Sequence, residues 1–263
     1  AAGDFGKICV SRAYRVSNMF PDGIGHGQPQ APPQHLDWEM WLGPRPLRPY
    51  QENIAPYKFR WWRNYSSQMG NWGVHYLDAI RWCTGELSPS AVCAMGGRFA
   101  VDDDRTVPDT MEVTFEFKSG RLATFGQYET SGNPVLPYGE VELRGTQGTV
   151  YVGGKGYQVV PERGGQFQTR EPRMKQEEVL AGDDNATLTA LHAGNFLDCV
   201  RSREKPNADV EVGHRSTSFS LMANISLTVG QRLEWDSENE RFSNSEQANN
   251  LLHYEYRNPW KLG

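Results

Sequence analysis

The stretch DTMEVTFEFKSGRLATFGQYE, residues 109–129, decides the fold class of this chain. Apolar side chains occupy every second position of its first half, at Met111, Val113, Phe115 and Phe117. The positions between them are Thr or Glu, and this period of two is typical of a β-strand with one buried face. The residues KSG at 118–120 predict a tight turn, and RLATFGQYE at 121–129 predicts the returning strand. The stretch therefore predicts an antiparallel hairpin with one apolar face.

The same pattern extends outward from this hairpin along most of the chain. Further strands are predicted at 7–18, 91–100, 139–145, 148–152 and 156–160. Helices are predicted at 70–83, 184–203 and 211–229, and Gly85 ends the first of them. Leu188, Leu191, Phe196 and Val200 lie near one side of the second helix, which we expect to face the core. Strands in a run, with helices before and after, indicate an α+β fold with a large open, mostly antiparallel sheet and helices on one face.

Composition and charge exclude several classes of function. With 263 residues and 38% hydrophobic content, the chain is large enough to bury a core. The net charge of −5 without a basic stripe argues against nucleic acid as a partner. The four cysteines include no Cys-x-x-Cys pair, so no zinc ribbon is predicted. Since no run reaches the roughly 20 apolar residues of a membrane span, we expect a soluble protein without a membrane partner. The sequence leaves the compartment, cytoplasm or periplasm, open.

The domain organisation is expected to be a single unit over residues 1–263. Residues 21–60 are rich in Pro and Gly but carry too many aromatic side chains for a disordered linker. We expect this segment to be an ordered excursion anchored by Trp38, Trp41 and Tyr50.

The segment MGNWGVHYLDAIRWCTG, residues 69–85, carries the strongest candidate for chemistry. On an α-helix, Asn71, His75 and Asp78 would share a stripe about 40° wide with Trp82. Histidine suits proton transfer near neutral pH, and a neighbouring Asp or Asn can orient it. The structural alternative stays open, because His75 and Asp78 could cap or bridge helices and Asn71 could lie at the helix N-cap.

The neighbouring segment RWWRNY, residues 60–65, is a candidate for sugar binding. Sugar rings combine apolar faces with hydroxyl edges, which aromatic and guanidinium groups suit. The candidates are Arg60, Trp61, Arg63 and Tyr65. For Trp61 or Trp62 alone, a structural role as an aromatic anchor is the favoured interpretation.

Other motifs give no cofactor or metal site. GIGHGQ at 23–28 has several glycines but leads into PQAPPQ, so no helix follows that could hold a pyrophosphate. DDDRTVPD at 102–109 lacks the central Gly and final Glu of a calcium loop. No serine lies in a Gly-x-Ser-x-Gly setting. We therefore predict no metal site and no cofactor-binding residues in this chain.

Five segments together resemble one enzyme family. They are GDFGKI at 3–8, WEMWLGPRPLRPY at 38–50, GNWGVHYLDAIRW at 70–82, ELRGTQGTVYV at 142–152 and NFLDCVRSREKPNADVEVGHRS at 195–216. In this order and spacing they resemble the C-terminal part of Gfo/Idh/MocA oxidoreductases, the glucose-fructose oxidoreductase and inositol dehydrogenase family. The resemblance implies a dihydrodipicolinate-reductase-like C-terminal fold. It also implies an N-terminal Rossmann domain that binds NAD or NADP in the complete enzyme.

The resemblance also implies roles for individual residues. His75 matches the proton-transferring His of the family, while Asn71 stands where many members have Asp and cannot carry a charge. The chain has neither a Gly-x-Gly-x-x-Gly loop nor the family's Glu-Lys-Pro motif, since REKP at 203–206 lies at a helix exit. It begins about where the family's Rossmann half ends. No dinucleotide binding, and no dehydrogenase activity, is therefore expected of this chain alone.

The expected function is that of a substrate-binding and oligomerisation domain of an NAD(P)-dependent oxidoreductase acting on a sugar or cyclitol. His75 would move the hydroxyl proton, Asn71 and Asp78 would orient, and the four residues of RWWRNY named above would bind the sugar. Expected partners are a second copy of the chain at the open sheet face and a separate Rossmann domain. The alternative is a free-standing carbohydrate-binding or assembly module, or a keto-sugar lyase.

Overall fold

The computed structural model describes residues 5–182 and 184–262 as eleven strands, five α-helices and two shorter helical turns. The first half contains β1 (Ile8–Asn18), α1 (Trp38–Leu42), a 3₁₀ turn (Lys58–Trp61), a π-helical turn (Met69–Gly73), α2 (Val74–Thr84), β2 (Ala91–Gly97), β3 (Thr110–Glu116), β4 (Leu122–Tyr128) and β5 (Thr130–Ser131). The second half contains β6 (Val141–Gly145), β7 (Gly148–Gly153), β8 (Gly156–Pro161), β9 (Glu177–Leu180), α3 (Asn185–Ser202), α4 (Val210–Val229), β10 (Leu233–Asp236), β11 (Arg241–Phe242) and α5 (Glu246–Asn249).

The strands form one open sheet in the order β11-β10-β2-β3-β4-β1-β6-β7-β8-β9, and the short β5 pairs with β1. Strands β1 and β4 are parallel, and the other pairs are antiparallel. The predicted large, mostly antiparallel sheet is therefore confirmed. The parallel pair matters for the site, because the carboxyl ends of β1 and β4 reach the same edge of the helix layer.

The hairpin of residues 109–129 has the predicted register. Val113 pairs with Phe125 and Phe115 pairs with Ala123, so these side chains share the buried face. Helices α2 and α4 cover this face, and the rings of Phe115 and Phe219 lie 4.2 Å apart. The opposite face has no helix layer among the described residues, and Thr114 is exposed there.

Helix α2 begins from the π-helical turn without a side-chain N-cap, so Asn71 is not an N-cap residue. The turn packs on the sheet, because a Cβ at Gly73 would lie 3.5 Å from Cε1 of Phe125 on β4. At the other end, Gly85 takes φ 73° and its N–H donates to the carbonyl of Arg81 at 2.8 Å. This left-handed end is the one predicted from the sequence.

The segment between β1 and α2 packs as a second, smaller core. Ile24, Ile54, Trp61 and Trp62 of this segment are buried there, together with Val107 from the connection between β2 and β3. On its outer side Trp38 stacks on Trp41 with ring centroids 4.8 Å apart, and the edge of Tyr50 meets Trp38 at 5.3 Å. Buried aromatic side chains thus hold the Pro- and Gly-rich stretch against the body.

Helix α3 differs from its expectation. It begins close to the predicted residue 184, where Asp184 caps its N-terminus, but none of its 18 residues is buried. Leu191 and Phe196 are 61% and 57% exposed. The expectation that its apolar side faces the core is wrong, because α2 and α4 already occupy the covered face of the sheet. No helix among the described residues has the length and apolar character needed to cross a membrane.

Candidate active site

The candidate site lies where the parallel strands β1 and β4 end beneath the π-helical turn. Arg15, near the end of β1, places its guanidinium carbon 3.9 Å from the ring centroid of Trp72. The edge of Trp72 in turn meets the ring of His75, with centroids 6.3 Å apart. Arg15, Trp72 and His75 therefore form one continuous surface, called the His75 surface below.

His75 itself is exposed on the first turn of α2. Among the described residues, no side chain or carbonyl forms a hydrogen bond with its ring. An exposed imidazole without an internal partner is free to accept a proton from a bound molecule or to return one.

Asn71 lies in the π-helical turn and is held from two sides. Its Oδ1 accepts a hydrogen bond from Nε of Arg60 at 3.2 Å, and its Nδ2 donates to Oε1 of Gln68 at 3.4 Å. Arg60 is fixed as well, because its Nη1 donates to the carbonyl of Tyr57 at 2.8 Å and its guanidinium lies 4.1 Å from the Tyr57 ring centroid. The structure thus brings the predicted Asn71 and Arg60 together.

Asp78 points away from this pair. Its carboxylate accepts a hydrogen bond from the hydroxyl of Ser216 on α4 and lies 3.5 Å from Nη1 of Arg81. Burial lowers the pKa of Arg81, and Asp78 opposes that shift. Asp78 therefore joins α2 to α4 and does not contact His75 or Asn71.

The other predicted sugar-binding residues are dispersed. Trp61 is 9% exposed and donates from Nε1 to Oε1 of Glu129 at 2.9 Å, so its ring offers no free face. Arg63 is exposed and donates to Oγ1 of Thr228 at the end of α4. Tyr65 is half-buried against the edge of Trp41, and this burial raises the pKa of its hydroxyl.

A buried ion network supports the site from below. Arg105 pairs with Asp103 at 2.9 Å and with Glu129 at 2.5 Å, and all three side chains are almost fully buried. Glu129 also accepts a hydrogen bond from Nε2 of Gln68, the residue that holds Asn71. Burial raises the pKa of Glu129, although the pairing with Arg105 acts in the opposite direction.

Sequence reasoning missed Arg15, Trp72 and Gln68. A signal for Arg15 existed, because it follows Ser11 and Ala13 at alternate positions of β1, and both of these are fully buried. An arginine at the next position on that side must face the helix layer. The role of Gln68 depends on a contact with Glu129, 61 residues away, and had no local signal.

The described residues fit neither a dinucleotide nor a metal ion. Carboxylates of Asp37, Asp184 and Asp209 already accept the first-turn N–H groups of α1, α3 and α4. Helix α2 continues directly from the π-helical turn, and α5 has four residues. The N-termini of α1, α3 and α4 are thus already occupied by side-chain caps and offer no open site for a pyrophosphate. Nor do three or more His, Cys, Asp or Glu side chains within the described ranges come together as metal ligands.

Solved structures share this fold at low sequence identity. Levoglucosan dehydrogenase in complex with NADH matches with a TM-score of 0.59 and 12% identity, over 88% of this chain and 59% of that one. UDP-N-acetylglucosamine 3-dehydrogenase GnnA from Acidithiobacillus ferrooxidans matches with a TM-score of 0.52 and 14% identity, over 87% of this chain and 56% of that one. An NAD-binding protein from Listeria innocua matches with a TM-score of 0.51 and 13% identity, over 88% of this chain and 56% of that one. The chain thus spans under two thirds of these structures.

The sequence comparisons give a consistent result. Residues 7–262 match a family model, Gfo/Idh/MocA C2, described as the oxidoreductase family, C-terminal alpha/beta domain. No curated protein matches the sequence.

Proposed function

The chain belongs to the Gfo/Idh/MocA oxidoreductase family as its C-terminal α/β domain, and we propose that it binds the substrate and builds the oligomer in an NAD(P)-dependent oxidoreductase acting on a sugar or cyclitol. The observation that carries this proposal is the exposed His75, without an internal hydrogen-bond partner among the described residues, beside Trp72 and Arg15. A free imidazole next to an aromatic ring and a guanidinium suits a hydroxylated ring whose proton must be moved.

The roles of the residues follow from their contacts. His75 takes the proton of the reacting hydroxyl during oxidation and returns it during reduction. Asn71 presents an amide that Arg60 and Gln68 hold in one orientation, so it positions a hydroxyl by hydrogen bonds and adds no charge. Arg60 contributes a guanidinium to the sugar. The nicotinamide, when bound by a nucleotide domain, supplies the hydride chemistry.

The remaining predicted residues do not contact the sugar in this proposal. Asp78 fixes α2 on α4. Trp61 donates a hydrogen bond to the buried Glu129 and so anchors the loop on which Arg60 lies. Arg63 and Tyr65 lie outside the His75 surface.

The proposed substrate class rests on the surface and on the nature of the relatives. Levoglucosan dehydrogenase and UDP-N-acetylglucosamine 3-dehydrogenase are named for sugar substrates, and both share this fold. A sugar or cyclitol is therefore the class that agrees with both the family and the side chains of the site.

The proposed partner is a nucleotide-binding domain. The matched structures are considerably longer than this chain, which covers 56% to 59% of them. The apolar side of α3 is uncovered, with Leu188, Leu191, Phe196, Leu197 and Val200 each 46% to 61% exposed. Water contact with such a stripe is costly, so a second domain seated there would be stabilised by its burial.

The proposed oligomer forms through the open face of the sheet. This face carries polar and aromatic side chains in register, including Tyr14 and Tyr128 with centroids 6.0 Å apart. Glu142 is 1% exposed on the same face because Arg12 and Arg144 hold it. A second copy of the same sheet is the cover we propose, since most oligomers of one chain are symmetric.

One observation favours a second candidate function. A free His75 on a chain whose α1, α3 and α4 N-termini are capped by its own carboxylates also suits a free-standing carbohydrate-binding module or a keto-sugar lyase. Such a lyase would use His75 as an acid or base without any hydride transfer.

Titration of nucleotides and sugars separates these proposals. NADH and NADPH fluorescence, followed as the purified chain is added, should show no saturable binding at micromolar concentration. Adding a family nucleotide domain should restore sugar-dependent reduction of NAD or NADP. Micromolar binding by the chain alone would contradict the assignment of the nucleotide site to another domain. Elimination from a keto-sugar by the chain alone would favour the lyase.

A further inference from the structure

One large cavity among the described residues lies outside the His75 surface. It has a volume of about 650 Å³ and runs along the outer side of α4. The loop at 63–67, the segment 106–108 and the tail residues 251–254 form its other sides. We call it the α4 groove. Its volume lies in the range of about 300 to 1,000 Å³ that is typical of small-molecule sites.

Two arginines line the α4 groove without acidic partners. Arg45 lies over the ring of Tyr254, 3.5 Å from its centroid, and Arg63 donates to Oγ1 of Thr228 at 2.5 Å. Neither guanidinium takes part in an ion pair within residues 5–182 and 184–262, although the chain has 32 acidic and 27 basic residues. The one carboxylate that the described residues place in the lining, that of Glu240, is already paired with His214 at 2.6 Å and with Arg215 at 3.4 Å. The two arginines therefore keep the groove attractive to an anion.

A structural role explains only one of these arginines. Arg63 lies beside the last turn of α4, where a cation complements the helix dipole. Arg45 comes from the distant loop after α1 and contacts an aromatic ring of the tail. Its convergence on the same cavity is therefore not explained by helix capping.

The floor of the groove is apolar. Leu221 of α4 is 46% exposed, and Leu251 and Leu252 of the tail are 40% and 42% exposed. Ile225 lies one turn further along α4 on the same side. Exposed leucines facing one another across a cavity favour a ligand with an apolar body.

The tail that closes the groove is fixed at its far end. Arg257 donates to the carbonyls of Gly43 at 2.8 Å and Arg45 at 3.1 Å, and it pairs with Glu39 at 2.9 Å. The tail thus spans from α5 to the end of α1 and holds Tyr254 under Arg45. The cavity is a preformed feature of the fold, which lowers the ordering cost of binding.

We propose that the α4 groove is a second ligand site, which binds an anionic organic molecule with an apolar or aromatic body. Its oxyanion, a carboxylate or a phosphate, pairs with Arg45 and Arg63. Its body lies on Leu221, Ile225 and Leu252. The site is independent of the proposed function of His75, and its failure would leave that function untouched.

Three small probes test the proposal by isothermal titration into the purified chain. Phenyl phosphate and benzoate carry the two oxyanions on the same ring, and benzyl alcohol is the neutral control. At least one anion should bind more tightly than about 1 mM and at least about tenfold more tightly than benzyl alcohol. The tighter of the two identifies the oxyanion. Equal affinity for all three probes would overturn the proposal.

Matched variants locate the binding. Arg45→Gln and Arg63→Gln should each weaken the anion about tenfold, because each removes a charge-assisted hydrogen bond. Arg170→Gln removes the same charge from an exposed residue outside the groove and should change nothing. Leu221→Glu should abolish anion binding, whereas Leu87→Glu, at a 72% exposed position elsewhere, should not. Equal effects of the groove variants and their controls would overturn the site.

Discussion

Nε of Arg60 lies 3.2 Å from Oδ1 of Asn71 and donates a hydrogen bond to it. The position that many family members fill with Asp is thus occupied by a neutral amide that still has a cationic partner. An aspartate here would form an ion pair with Arg60, and the asparagine forms a weaker neutral-acceptor bond.

Asn71→Asp should therefore strengthen the contact with Arg60. We expect the free energy of unfolding to rise by about 0.5 to 1 kcal/mol, since the pair is only half-buried. Urea unfolding measures the change. In an Arg60→Gln background the gain should vanish, and a gain that persists there would show that the pair is not its cause.

The buried carboxylate of Glu129 should be important for stability. Glu129→Ala removes the acceptor for Trp61, Gln68 and Arg105, so three buried donors lose a partner. We expect the free energy of unfolding, measured with urea, to fall by about 3 kcal/mol or more. Glu116→Ala breaks an exposed pair with Arg232 and should cost less than about 1 kcal/mol. Equal losses in the two variants would contradict the network's importance.

Stability should fall in acid through Asp109. Burial by itself raises the pKa of Asp109, but hydrogen bonds from the N–H groups of Phe99, Ala100 and Val101 and from Thr110 outweigh it and lower the pKa. A carboxyl with a lowered folded-state pKa stabilises the fold above its unfolded pKa, near about 4, and loses this contribution as the pH falls through its folded value.

Asp109→Asn should accordingly lower the free energy of unfolding by about 2 kcal/mol at neutral pH. The difference in this free energy between the variant and the native chain should shrink below about pH 4. Urea unfolding over a pH series measures both quantities. Asp102→Asn, at a side chain that is 91% exposed, is the control and should stay within about 0.5 kcal/mol throughout. A pH-independent difference for Asp109→Asn would contradict the assignment.

The open sheet face should control the oligomeric state. Thr114→Arg places a cation at the exposed centre of this face, opposite Thr124 in the register, and like charges would meet across a symmetric interface. Sedimentation velocity should then show a smaller species. Thr217→Arg, at an exposed position on α4, should leave the assembly unchanged. An unchanged oligomer in Thr114→Arg would place the interface elsewhere.

The sheet was largely predictable because its signal is local. Period-two patterning at 109–129 determined strand limits, buried face and turn, and the resemblance to the family, now confirmed, agreed with it. The parallel pairing of β1 with β4 joins residues more than 100 positions apart and left no local trace. Local patterns report which face of a strand is buried, not which strand lies beside it.

The candidate site was predicted less completely, for a physical reason. The stripe of Asn71, His75 and Asp78 assumed a regular α-helix, whereas residues 69–73 form a π-helical turn that alters the angular spacing. Asp78 consequently meets α4, and Asn71 meets Arg60. Helix α3 shows a related limit. An apolar stripe indicates a helix face that is suited to burial, but it does not say whether the same chain covers that face.

The central claim is that His75 moves the proton of a sugar hydroxyl, and the turnover of a His75→Ala variant tests it most directly. The chain and its variant would each be combined with the nucleotide domain, and NAD(P)H formation from the sugar followed by absorbance. We expect kcat to fall by about 100-fold or more while sugar affinity changes little, because His75 is exposed and has no internal bond to lose among the described residues. An unchanged kcat in His75→Ala would contradict the account.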